Sequence, residues 1–288
     1  MVEERKVWLE AHGAMEGVQG SYTIRAEAVD PEDFTLTKEE GAEAEAEDRP
    51  ANSKLVHFQR HGQGYHNLIF RILEENGLPI TDIYHPDPNQ NPFVKTELRD
   101  APLTELGRSQ CVDQRVNVQA LGLNPELVIV SPLHRALLTA QLTFQDAVDA
   151  KVPFVAHSGC REELGILTCN WRRPLSETVR EFPNVDFRLL AKEGDEDALW
   201  SPTEKEAATH QSQRIYDFLV DYVRVQPQSE IAVVGHSAWL FTMCNAVMDC
   251  NGQEELESWF GTSEIRSMKL TWELKEEKIE SEDAIAKE

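Results

Sequence analysis

The sequence predicts an α/β fold, a three-layer α/β/α sandwich built on a mostly parallel central sheet. One observation is alternation. Short apolar runs, "KLVHFQ" (54–59), "ELVIVS" (126–131), "KVPFVAH" (151–157) and "EIAVVG" (230–235), are separated by longer helical stretches, and strands alternating with helices build such sheets. A second is size: 288 residues, 41% apolar and 27% charged, suffice to bury a sizeable core. A third is that no internal repeat is visible, which leaves a non-repetitive layered domain.

In chain order, residues 1–53 read as an acidic N-terminal extension, partly disordered, in which "SYTIRAEAV" is able to form a short strand docked on the body. The main domain is expected over 54–275, with a charged tail at 276–288. After the strand at "KLVHFQ" a helix is expected from about residue 66. "PITDIYHPDPNQNPFVKTELRDAP" carries five prolines and reads as a loop. "LTELGRSQCVDQRVNVQALG" reads as a helix with Thr104 as N-cap. "ELVIVS" is a buried strand, "PLHRALLTAQLTFQDAV" a helix with Pro132 near its first turn, and "KVPFVAH" another strand. A long irregular insertion spans 161–200. "TEKEAATHQSQRIYDFLVDYVRV" is a helix, "EIAVVG" a buried strand and "SAWLFTMCNAVMD" a helix. Finally Met268, Leu270, Trp272 and Leu274 alternate with polar residues, the period of a half-buried strand.

Charge and cysteine usage exclude several classes. Net charge is 28 − 51 = −23, which disfavours attraction to nucleic acid or an anionic membrane. The acid concentrates in "KEEGAEAEAED" (38–48) and "ELKEEKIESEDAIAKE" (273–288), both read as solvated segments. No apolar run approaches the roughly 20 residues of a membrane helix, and the N-terminus lacks a secretory apolar core, so a cytoplasmic location is expected. Five cysteines without a CxxC spacing argue for reduced thiols over disulfides or structural zinc.

Ligands bind beyond the carboxyl ends of strands in open α/β sheets. The residues directly after each apolar run are therefore informative: Arg60-His61-Gly62, then Pro132 and Arg135, then Arg161, Glu162 and Glu163, then His236-Ser237. Histidines, arginines and a carboxylate converge on one end of one sheet. A neutral imidazole is a competent nucleophile toward phosphorus, arginines bind phosphoryl oxygens and stabilise their charge, and an alkoxide leaving group needs a proton donor. His57, alternating with Val56 and Phe58, reads as structural. His57 and His66 beside His61 lack the Cys, Asp or Glu that would complete a zinc site, so no metal and no cofactor are expected. Trp171, Arg172, Arg173 and Trp200 lie on the insertion and serve either leaving-group selection or packing. "GHSAW" lacks the nucleophile elbow of a serine hydrolase.

The motifs "RHGQGYHN", "LTELGRSQC", "SPLHRALLTA" and "VVGHSAWL", in this order, resemble the histidine phosphatase superfamily with its phosphoglycerate-mutase-like fold, over roughly residues 54–275. "RDAPLTELGRSQC" and "EIRSM" look most like the phosphoglycerate-mutase-like proteins of plants and fungi. The resemblance implies a metal-independent phosphoric monoester hydrolase of the histidine acid phosphatase type acting on a small phosphorylated molecule. It implies His61 as nucleophile, Arg60, Asn67 and Arg135 as phosphate-binding residues, and His236 as a second histidine on the phosphoryl group. It implies a glutamate as proton donor. The "RE-x-x-G" spelling favours Glu162, with Glu163 as runner-up. A phosphoglycerate mutase and a non-catalytic phosphate-binding scaffold stay as alternatives, and nothing in the sequence sets the oligomeric state.

Overall fold

A computed structural model describes residues 18–29, 53–78 and 80–275. Eight strands form one sheet: β1 (Tyr22–Ala28), β2 (Ser53–Arg60), β3 (Leu127–Val130), β4 (Phe154–Ala156), β5 (Val185–Asp186), β6 (Glu230–Gly235), β7 (Met248–Asp249) and β8 (Ile265–Leu274), in the spatial order β5-β4-β3-β6-β2-β8-β1-β7. β8 runs antiparallel to both of its neighbours, and every other pairing is parallel. The edge strands β5 and β7 have two residues each, short enough to offer little template for further pairing.

The central strands β3 and β6 are buried at every position, as expected of parallel strands covered on both faces. Alternate residues go to opposite cores. Val56, Phe58, Ile129, Ile231 and Val233 share one cluster with Ile215, Phe218, Leu219, Trp239 and Leu240. Val128, Val130, Ala232 and Val234 join Ala136, Leu137, Ala140 and Phe144 in the other. Helices thus cover both faces, and the fold is the three-layer sandwich that the alternation predicts.

The helices are α1 (Tyr65–Glu75), α2 (Glu105–Ala120), α3 (His134–Thr143), α4 (Gln145–Asp149), α5 (Leu175–Glu181), α6 (Ala208–Asp217), α7 (Ser237–Thr242) and α8 (Glu254–Glu257). Thr104 caps α2, its hydroxyl accepting the Gly107 N–H. The helix expected over 132–148 is two helices, broken at Phe144, whose backbone leaves helical geometry to bury the ring. α6 and α7 each continue into a π-helical turn, Phe218–Val223 and Met243–Val247.

One expectation needs correction. Part of the segment read as an extension, Tyr22–Ala28, lies in the sheet, paired with β8 from Tyr22↔Leu274 to Ala28↔Met268. Ile24 and Ala26 alternate inward at 1% exposure each, and burying that face is what recruits the segment, the docking that "SYTIRAEAV" allowed. The acidic run 38–48 and the tail 276–288 lie outside the described residues. β8 alternates as expected through Trp272, whereas Leu274 is exposed.

Candidate active site

Sheet register builds the site. Arg60 pairs with Gly235, and Val130 with Val234, so the next residues along each strand, His61, Ser131 and His236, emerge side by side at the carboxyl ends of three adjacent central strands. The His61 and His236 rings lie 5.1 Å apart between centroids.

His61 is 1% exposed. Its Nδ1 meets the Gly62 carbonyl at 2.6 Å. A carbonyl only accepts, so Nδ1 carries the proton and Nε2 presents a lone pair. Arg135 Nε donates to that Nε2 at 3.2 Å. Burial first, then the Arg135 guanidinium, His66 and Arg60, hold the imidazole's pKa well below its ordinary value, so the ring is neutral at physiological pH.

The loop that carries His61 is clamped by α2. A Cβ at Gly107 would fall 2.1 Å from the Gln63 carbonyl oxygen, and one at Gly62 would fall 2.5 Å from the Gly107 oxygen; only glycine permits this approach. Gln110 Oε1 accepts the Gln63 N–H at 2.9 Å, and Thr139 Oγ1 accepts the Gly62 N–H at 3.0 Å. The "LTELGRSQ" motif therefore acts as a brace.

Arg135 is fully buried and held by three partners: His61, the Cys169 carbonyl at 2.6 Å and Asn170 Oδ1 at 2.9 Å. Arg60 Nη1 donates to the Phe260 carbonyl at 2.6 Å. His236 Nε2 lies 2.7 Å from Ser131 Oγ, which also accepts the Leu133 N–H at 3.4 Å. If the serine hydroxyl donates to Nε2, the His236 proton sits on Nδ1, the tautomer suited to an anionic ligand. Burial, then Arg135 and His61, lower the His236 pKa well below its ordinary value. Among the described residues, the buried Arg60 Nε, His66 Nδ1 and His236 Nδ1 have no hydrogen-bond partner. Buried polar groups are ordinarily paired, so Arg60 Nε, a donor in every state, and His236 Nδ1 when it carries the proton are positions that an anion would satisfy.

Glu162 lies at the N-terminus of α7, directly after His236. Its carboxylate accepts the N–H of Ala238 at 3.2 Å, of Trp239 at 3.0 Å and of Glu163 at 3.1 Å, and it acts electrostatically on both Arg60 and Arg135. Glu163 points elsewhere, toward Tyr84 and Lys205. Asn67 stands in the first turn of α1 with its Oδ1 accepting the Gly64 N–H at 3.0 Å, which leaves its NH2 end for a ligand. The structure thus brings together His61, Arg60, Arg135, His236 and Glu162, with Asn67 at the margin beside His66.

Sequence reasoning missed Ser131, Asn170 and His66 as neighbours of these residues. His66 has its ring 5.4 Å from that of His61, and burial, Arg135 and Arg60 push its pKa well below the ordinary value. Ser131 opens the "SPLHRALLTA" motif and was legible as the residue at the end of a buried strand. Asn170 had no such signal. Of the insertion's arginines, Arg172 is buried and donates to the carbonyls of Arg173, Gly194, Asp195 and Glu196, a packing role. Arg173 pairs with Asp100 and Glu181. His57 is buried between Ser267 Oγ at 2.8 Å and Glu230 Oε1 at 3.2 Å, the structural role expected. Among the described residues, no three His, Cys, Asp or Glu side chains cluster as a metal site requires, and no helix is long and apolar enough to cross a membrane.

Several known proteins are similar to this chain. Phosphoglycerate mutase-like protein 1 of Arabidopsis thaliana is 31% identical over 245 residues, 75% of this chain and 80% of its own length. Phosphomutase-like protein 3 of Candida albicans is 30% identical over 68% of this chain and 61% of its own. Among solved structures, a mycobacterial glucosyl-3-phosphoglycerate phosphatase aligns with TM-score 0.44 and 19% identity, covering 77% of this chain and 97% of that one. The model of the histidine phosphatase superfamily, branch 1, matches residues 91–280, and this chain belongs to that superfamily.

Proposed function

We propose that this protein is a metal-independent phosphatase that hydrolyses a small phosphomonoester through a phosphohistidine at His61. One observation carries the reading: a neutral His61, with its Nε2 lone pair free of a proton, lies against Arg135 and beside the unpartnered nitrogens of Arg60 and His236. Arg60, Arg135, His236 Nδ1 and the Asn67 NH2 would hold the phosphoryl oxygens, offsetting charge that grows on them in the transition state. Nε2 attacks phosphorus and the bond to the leaving oxygen breaks. Glu162, in its acid form in the substrate complex, gives that oxygen a proton. Water then attacks the phosphohistidine, Glu162 takes back a proton, and inorganic phosphate leaves.

The test is brief exposure to labelled substrate followed by denaturation, which should leave an acid-labile, base-stable phosphoryl group on His61. His61→Ala should lose both the label and the turnover of p-nitrophenyl phosphate. Label persisting in that variant overturns the assignment, and an unlabelled, inactive parent protein supports the scaffold alternative.

The mutase alternative draws on the names of the plant relatives. A mutase must hold a carboxylate-bearing phosphoglycerate while it reorients, which calls for cations beyond the phosphate clamp. Arg172 and Arg173 are committed to carbonyls and to Asp100 and Glu181, which favours hydrolysis. Formation of 2-phosphoglycerate from 3-phosphoglycerate with catalytic 2,3-bisphosphoglycerate, faster than phosphate release, would reverse that preference.

A further inference from the structure

Three polar side chains from three separate segments meet next to Glu162. Tyr84, in the loop after α1, donates its hydroxyl to Glu163 Oε2 at 2.9 Å. Lys205, in the segment before α6, places its ammonium 3.2 Å from Glu163 Oε1 and 4.0 Å over the Tyr84 ring. The backbone fixes this meeting. Gly165 has φ +87, and a Cβ there would fall 1.8 Å from the Glu204 oxygen. The Glu206 N–H donates to the Leu164 carbonyl at 2.9 Å, while Glu206 Oε2 accepts the Leu164 N–H at 3.1 Å. Residues 204–206 are therefore laced against 163–165, and Lys205 stands opposite Glu163 with its side chain 29% exposed.

The cluster adjoins the chemistry on two sides. Glu162 acts electrostatically on the Tyr84 hydroxyl, adding to burial and Glu163 in raising its pKa. Asn170 bridges to the clamp: its Oδ1 accepts from Arg135 and its Nδ2 donates to the Glu163 carbonyl at 2.9 Å.

Resting on the phosphatase reading, we propose that Tyr84, Glu163 and Lys205 form the subsite for the alcohol half of the substrate, and that it takes a neutral, hydroxyl-bearing alcohol such as a polyol or sugar in preference to one carrying a carboxylate. A hydroxyl can donate to Glu163 and accept from Lys205 or Tyr84, so each group has a use for it. A carboxylate would instead meet Glu163, and the cluster's one cation, Lys205, is already matched by Glu163. Once Glu163 is ionised, above its raised pKa of about 7, juxtaposed like charges of this kind reject a ligand more strongly than a missing contact does.

Binding tests the subsite separately from turnover. In the full chain carrying His61→Ala, calorimetry compares glycerol 3-phosphate, 3-phosphoglycerate and inorganic phosphate. We expect glycerol 3-phosphate to bind about tenfold more tightly than 3-phosphoglycerate, the scale of one charge-assisted hydrogen bond. Adding Tyr84→Phe, which keeps the ring and its packing, or Glu163→Gln should shrink that ratio toward unity. Equal affinities, tighter binding of 3-phosphoglycerate, or a ratio that both variants leave intact overturns the subsite. If inorganic phosphate binds but neither ester does, the subsite falls alone. If no phosphate compound binds, the phosphatase reading falls with it.

Discussion

At the scale of single residues, the site works through tautomers and charge states set by close neighbours. Ser131 orients His236 without touching a substrate. Ser131→Ala should lower kcat about tenfold, the scale of one buried hydrogen bond, and should leave KM for p-nitrophenyl phosphate nearly unchanged. A rise in KM at constant kcat would assign Ser131 to ground-state binding. Glu163 offers a test of linkage. Its pKa is raised to about 7, by burial first, against the opposing effects of Lys205 and Tyr84 and with a smaller push from Glu162. An acid whose folded pKa lies above its unfolded value of about 4.3 binds its proton more tightly when folded. Stability should therefore fall between about pH 4.3 and pH 7, by on the order of 3 kcal/mol. Glu163→Gln removes this dependence, so the variant should gain on the parent in thermal midpoint at pH 8 relative to pH 4. Parallel pH profiles for the two proteins would contradict it.

At the scale of elements, the close approach of α2 to the His61 loop is a fixed dimension of the site. Gly107→Ala places a methyl against the Gln63 carbonyl and should cost about 1–3 kcal/mol of stability, with a larger proportional loss of kcat because His61 moves. A variant with normal stability and activity would show that the loop yields without consequence. These elements also show what the sequence disclosed. The strand ends were legible because parallel strands read as continuous apolar runs, and the polar residues after each run meet at the candidate site. The Asn170 contact to Arg135 and the cluster around Tyr84 were not legible. They depend on how irregular loops with no periodicity fold over the sheet edge, which only tertiary packing decides. The strand at Tyr22–Ala28 was ambiguous for a related reason, since its partner lies 240 or more residues later, at Met268–Leu274. A chain beginning at Asn52 should lose Ile24 and Ala26 from the core and melt about 10 °C lower, as an Ile-sized core deletion implies. An unchanged melting curve would make that strand dispensable.

At the scale of the whole molecule, the proposed phosphate clamp is a small cationic pocket inside a body of net charge −23. The long-range field repels a dianionic substrate, while Arg60 and Arg135 attract it at short range. Salt shortens the Debye length from about 30 Å at 0.01 M to about 8 Å at 0.15 M, so it should screen the repulsion more than the buried contacts. KM for p-nitrophenyl phosphate should therefore fall over that range. A steady rise would mean that the clamp's attraction dominates at distance.

The place of β8 between β1 and β2 also dictates an order of events during synthesis. β2, which delivers Arg60 and His61, finds its neighbours only at Glu230–Gly235 and Ile265–Leu274. The strand that ends at Arg60, with His61 directly after it, thus leaves the ribosome early and stays without sheet partners until almost the whole chain has been translated. Such long-range pairing is slow and leaves strand edges open to wrong partners. Nascent chains arrested before residue 265 should remain sensitive to protease around residues 53–60.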